Sequence, residues 1–237
     1  MHFPRLRRPF RPPEEKPSRP HAFTVAELLA VIAIMVVLMT FTLPILRGGS
    51  GVEKAAWEIA GLIEQARAAA MAQSTYVWVG FNETQVSTAD QKNTAVFIVV
   101  SKDGSSTFST ANLLQIGKTS LFNNLKLADF SGSQFDYGNR DRGAVVTQLA
   151  ATTPLSFAGA TAFPGKLSTY TSCRVLRIDP DGSARIPDGT AISSVQMVRR
   201  LELGLQPMKG AAVPPNNSDT AAIQVAGLTA QARIYRP

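Results

Sequence analysis

Histidine is almost missing from this 237-residue chain: His2 and His21 are the only two, and nothing after residue 22 carries an imidazole. That removes Ser-His-Asp and Cys-His schemes, and zinc sites built from His and Cys, from the body of the chain. Cysteine is rarer still, with Cys173 alone, so no internal disulfide can form; a lone cysteine reads first as a small buried apolar residue. No Gly-rich phosphate loop, nucleophile elbow or fixed-period repeat is present. The residue types that remain assemble no catalytic constellation, so no enzyme and no cofactor are expected.

The net charge is +7, but it is unevenly placed. Arg5, Arg7, Arg8, Arg11, Lys16 and Arg19 stand against Glu14 and Glu15 in the first 22 residues, so more than half of the excess lies there. The remainder lacks the concentrated basic surface that counterion release on nucleic acid requires, and nucleic acid is not an expected partner. Six prolines in the same stretch, from Pro4 to Pro20, forbid a stable helix.

What the chain does have is one long apolar run, Phe23 to Leu46, FTVAELLAVIAIMVVLMTFTLPIL, whose only charge is Glu27. As a helix its 24 residues would span roughly 36 Å, enough for a hydrocarbon core. The basic stretch ahead of it places the N-terminus in the cytoplasm and the rest outside. A carboxylate in such a run costs about 2.5–3.5 kcal/mol at mid-membrane, so Glu27 needs a partner or a function.

Arg47-Gly48-Gly49-Ser50-Gly51 then interrupts the pattern as a joint. Val52, Ala55, Ala56, Ile59, Leu62, Ile63, Ala66, Ala69 and Ala70 follow at the spacing of one helix face, opposite Glu53, Lys54, Glu58, Glu64 and Arg67. From Thr75 the signals become strands: 76–81, 95–100, 113–116, 125–127, 145–149, 175–178, 184–186, 201–205, and a closing hairpin of 223–225 with 232–235. Asp179-Pro180-Asp181-Gly182 is a turn, 131–143 a polar loop and 206–219 a linker or exposed loop. The expected fold is therefore α+β: a long N-terminal helix, membrane half plus amphipathic half, packed on an antiparallel β-rich C-terminal domain. The expected divisions are 1–22, a cytoplasmic basic leader; 23–46, a transmembrane and assembly helix; 47–74, glycine joint and amphipathic helix; and 75–237, the β-rich domain.

Several polar residues have ordinary readings. Asp179 and Asp181 are the candidates for a metal, as calcium ligands, but no EF-hand pattern surrounds them and they read first as a turn. Asp141, between Arg140 and Arg142, reads as a solvated loop, and Arg199-Arg200 as a strand's solvent face. Asn82-Glu83-Thr84 fits the glycosylation acceptor pattern.

The basic leader, the Ala22/Phe23 junction, Glu27 fifth from Phe23, the run FTVAELLAVIAI and Pro44 together resemble the N-terminus of type IV prepilins and type II secretion pseudopilins. Ala22 stands where that family usually has Gly. Residues 55–81, with Ala66-Arg67 in an Ala-rich helix running into TYVWVGF, are similar to the GspH/FimT minor pseudopilins, which typically carry a β-sandwich and a late D-x-x-G turn, here Asp179 to Gly182. The ending LTAQARIYRP is similar to the D proteins of the Verru/Chthon cassettes. The resemblance implies cleavage between Ala22 and Phe23 by a prepilin peptidase and N-methylation of Phe23. It implies assembly with other pilin or pseudopilin subunits through Glu27 and Pro44, an inner-membrane, single-pass location, and a structural role as a minor subunit of a type IV pilus or type II secretion-like filament. The alternative is a membrane-anchored extracytoplasmic binding module or adhesin, including a DNA-uptake minor pilin, that does not polymerise.

Overall fold

The structure, a computed structural model, describes residues 25–35, 51–85, 92–131, 140–141, 145–157, 170, 172–188, 191–208 and 219–236. The chain divides into two compact units, 1–48 and 49–237.

In the first unit the described residues form one helix, α1 (25–35), VAELLAVIAIM. At 1.5 Å per residue it is roughly 16 Å long, about half of a hydrocarbon core. A second, separate helix, α2 (Gly51–Gln73), opens the second unit. Glu53, Lys54, Glu58, Glu64 and Arg67 make it too polar to enter a bilayer. Among the described residues no helix is long and apolar enough to cross a membrane. This corrects three expectations: the single long N-terminal helix with a membrane half, the transmembrane helix as such, and the inner-membrane single-pass location drawn from it. The described chain is mostly antiparallel β-sheet.

Among the described residues, eleven strands follow α2. Six make one sheet in the order β3-β2-β1-β6-β7-β8, where β1 is Val77–Gln85, β2 Lys92–Ser101, β3 Leu113–Phe122, β6 Cys173–Ile178, β7 Ala184–Asp188 and β8 Ala191–Met197. The other sheet runs β11-β10-β9-β4, with β4 at Leu125–Ala128, β9 at Arg200–Pro207, β10 at Ala221–Ala226 and β11 at Ala232–Tyr235. β5 (Val146–Gln148) lies beside the start of β9 in parallel; the other strand pairings are antiparallel.

The side-chain alternation of β1 explains the layering. Val77, Val79 and Phe81 enter a core with Val96, Ile98, Leu176 and Ile178 from the same sheet and Leu201, Leu203, Leu205, Ile223 and Val225 from the other. The buried stripe of α2, Val52, Ala55, Ala56, Ile59, Ile63, Ala66 and Ala70, joins that core. Its four alanines let the helix backbone approach the strands closely, while Ile59 and Ile63 are wholly buried and contribute about 1.5–3 kcal/mol each. Trp78, on the opposite side of β1, belongs to a second cluster with Phe97, Val99, Val175, Leu155 and Phe157. The six-stranded sheet is thus buried on both faces at its centre, which is why β2 reads as a continuous apolar run.

Gly80 marks the tightest point of that second cluster. A Cβ there would lie 2.2 Å from Cζ of Phe97, whose ring meets Phe157 edge-on at 5.0 Å and stacks on Tyr170 at 5.6 Å.

Candidate functional site

α1 carries the one candidate assembly residue that can be placed. Glu27 lies in its first turn; Ala22, Phe23 and Pro44 lie outside the described residues. Every residue of α1 is exposed, and Val25, Leu28, Leu29, Val31, Ile32, Ile34 and Met35 are 48–78% accessible. A helix that is apolar on all sides is normally enclosed by other protein or by lipid.

The Asp179–Gly182 turn is tied down rather than open to a cation. Both oxygens of Asp179 are taken by guanidinium groups: Arg177 Nε donates to Oδ1 at 2.7 Å and Arg177 Nη2 to Oδ2 at 3.2 Å, and Arg185 Nε lies 2.6 Å from Oδ2. Arg177 also lies over the Tyr76 ring at 5.0 Å. The carboxylate of Asp181 accepts from the Ser183 N–H at 2.9 Å, and the Ser183 side chain and this N–H hold its pKa below the usual value. Two aspartates thus serve a structural turn, closed by Gly182 N–H donating to Asp179 O at 2.9 Å. Among the described residues no group of three or more His, Cys, Asp or Glu could hold a metal ion. Gly182, at φ +80°, lies against α2: a Cβ there would be 3.0 Å from Met71 Sδ and 3.6 Å from Arg67 Nε. The helix segment around Arg67 and the late D-x-x-G turn, far apart in sequence, meet here.

No protein-family model, curated protein or solved structure matches this chain. The pilin, pseudopilin and type II secretion terms that the resemblance implies therefore gain no support from relatives.

Among the described residues, one buried polar cluster gives no sign of itself in the sequence pattern. On β9, Leu201, Leu203 and Leu205 face the core, and Glu202 points the other way yet is fully buried. Its Oε1 accepts from Arg140 Nη1 and from Gln148 Nε2, both at 2.6 Å, and its Oε2 accepts from Gln224 Nε2 at 2.7 Å. Arg140 also donates to Phe130 O at 3.1 Å, and the Phe130 N–H donates to Gln148 Oε1 at 3.3 Å. Residue 141 continues the cover: Asp141 Oδ2 accepts from Arg200 Nε at 2.8 Å, its N–H donates to Gln224 Oε1 at 3.3 Å, and its carbonyl accepts from Gln224 Nε2 at 2.8 Å. Asp141 keeps the solvent exposure expected of it, its side chain 48% accessible, but Arg140 beside it is buried, and both lie on the outer face of the five-stranded sheet. Arg200 is part of that contact, whereas Arg199 is exposed.

Two further residues are structural. Asn82 is 5% exposed; its Nδ2 donates to Ser172 O at 3.0 Å and to Cys173 Sγ at 3.5 Å, and its Oδ1 accepts from Thr84 at 2.9 Å. That leaves its amide inaccessible to a glycosylating enzyme. Cys173 is fully buried, and burial pushes its thiol up from 9.0 to about 12. A neutral thiol in that position is no nucleophile.

Proposed function

We propose that this protein is a structural subunit, of the minor pilin or pseudopilin kind, that assembles into a type IV pilus-like or type II secretion-like filament through its apolar N-terminal segment. The observation that carries the reading is α1, an apolar helix exposed on all sides that holds a single carboxylate, Glu27. Packing such helices against those of neighbouring subunits removes their apolar surface from water, and the proposal assigns α1 to subunit contacts rather than to a bilayer. The contact between the Arg67 region of α2 and the D-x-x-G turn adds support, because it joins the two stretches that resemble the minor pseudopilins.

In this reading a prepilin peptidase cuts between Ala22 and Phe23 and leaves a positive amine on Phe23. Glu27 of one subunit pairs with that amine on its neighbour. A buried carboxylate and a buried ammonium are each costly alone and tolerable together, so the pair fixes the axial register of the bundle. Mass spectrometry of the protein from its native cells tests the first step. A mature N-terminus at an N-methylated Phe23 is expected, and a terminus at Met1 or beyond residue 46 overturns the reading. Glu27→Ala tests the second: incorporation into sheared filaments should be lost, whereas a binding module that does not polymerise would be indifferent.

A further inference from the structure

We propose that a groove on the outer face of the five-stranded sheet binds an acidic peptide segment of a partner protein. The groove has a volume of about 550 Å³ and is walled by the β8–β9 connection, the start of β9 and the β10–β11 hairpin. That volume is within the range of ordinary ligand sites, about 300–1,000 Å³. The inference is independent of the assembly reading, since none of its residues lies in α1.

The groove's shape depends on Gly227. Its N–H donates to Arg199 O at 3.1 Å, and a Cβ there would fall 1.6 Å from Val198 O, so the hairpin and the β8–β9 connection touch backbone to backbone. This contact holds Arg199 on one wall and Arg233, from β11, on the other. Both arginines are exposed, and among the described residues neither makes an ion pair and no carboxylate lines the groove. Leu228, 74% exposed, and Met197, 49% exposed, offer apolar contact beside these charges.

The chain itself shows which ligand chemistry this face accepts. Asp141 is held beside the groove as a bound acidic peptide would be: Arg200 takes its carboxylate at 2.8 Å, and the single amide of Gln224 reads both its N–H and its carbonyl. Arg233 stands directly across from Gln224 in the β10–β11 register, so the next place on the same face presents a guanidinium. Gln231 at the groove's end supplies an exposed side-chain amide, where that of Gln224 is buried and already engaged. An Asp- or Glu-bearing strand with an aliphatic neighbour would match Arg199, Arg233, Gln231 and Leu228 together. A nucleic-acid backbone offers the anion but no N–H donor for an amide carbonyl to accept, which favours a peptide.

Fluorescence anisotropy with the full chain decides the matter. The probe is a fluorescein-labelled, capped peptide Gly-Leu-Asp-Leu-Asp-Gly, beside the same peptide with Asn for both Asp and a competing duplex DNA. Saturable binding of the Asp peptide is expected. Affinity should fall roughly tenfold or more both for the Asn peptide and for the Arg199→Gln/Arg233→Gln protein, as charge-assisted contacts require. Duplex DNA should not displace the probe. Both arginines are exposed, so the double variant should keep the thermal midpoint of the parent; if it does not, Arg233→Glu alone serves in its place with the same expectation. Absence of saturable binding, equal affinity for the Asn peptide, an unaffected arginine variant, or displacement by DNA would each overturn the proposal.

Discussion

Replacing Arg140 by Met would test whether residues 140–141 are held on the five-stranded sheet. Arg140 and Glu202 are 2.6 Å apart, with side chains 2% and 1% exposed. Met keeps most of the aliphatic stem and removes the cation. Glu202 would then stay buried with only the amides of Gln148 and Gln224 as donors, at 2.6 and 2.7 Å. Removing one member of a buried pair costs about 3–5 kcal/mol, and the two remaining amides place the expectation at the lower end, about 3 kcal/mol. With a urea m-value of about 2 kcal/mol/M, the midpoint should fall by about 1.5 M. Glu202→Gln keeps hydrogen-bonding capacity at that position and leaves Arg140 its bond to Phe130 O. The double variant, lacking both charges, should therefore lose less than the sum of the two single variants, with a coupling energy of about 1–3 kcal/mol. Equilibrium urea unfolding followed by circular dichroism measures all four corners of this cycle. A loss below about 1 kcal/mol for Arg140→Met would refute the reasoning, because only a solvated pair is worth so little.

Two more outcomes follow from the second core. Gly80→Ala should lower stability by about 1–3 kcal/mol in thermal or urea unfolding, because its Cβ would fall 2.2 Å from a Phe97 ring already confined by Phe157 and Tyr170; adding Phe97→Leu should recover part of that loss. Cys173 should resist thiol reagents at pH 8 until the chain unfolds. Its folded pKa is raised from 9.0 to about 12, so its contribution is full below pH 9.0 and is lost as the pH climbs through about 12, while only the unfolded chain ionises. Cys173→Ala should therefore flatten the alkaline fall in melting temperature, and an unchanged slope would remove the thiol from the account.

How much of this was legible in the sequence differs from element to element. The 3.6-residue period of Val52 to Ala70 named the buried face of α2, because its polar positions face away from the core. The strands at 77–85, 92–101 and 173–178 announce themselves through aromatic and β-branched runs. The sequence-based bounds stop at Phe81 and Ala95, since Asn82, Glu83, Lys92 and Asn93 look like loop and are strand only through cross-strand pairing with each other's segments. The apolar run from Phe23 suggested one long helix; the described helix there is 25–35, and composition alone carries no information on where helical structure begins and ends. The burial of Glu202 could not be read at all. Alternating Leu and polar residues on β9 signal one wet face, and that face is dry at Glu202 because Arg140, from a distant segment, folds over it. Arg140, Gln148 and Gln224 are groups able to satisfy a carboxylate, but nothing in sequence spacing brings them together.

The position of β1 has a consequence for the order in which the molecule forms. Its two sheet neighbours differ greatly in sequence distance: β2 follows after a short connection, whereas Asn82 on β1 reaches across 90 residues to Ser172 at the entry to β6. Loop-closure entropy makes the near pairing fast and the distant one slow, so α2 with β1, β2 and β3 can form early while the β6 side of β1 waits for the rest of the chain. Until then β1 has an unpaired edge of Val, Trp, Val and Phe, a ready template for another chain. The refolding yield should therefore fall with rising protein concentration, and the late rate-limiting step should be the docking of β6 rather than helix formation.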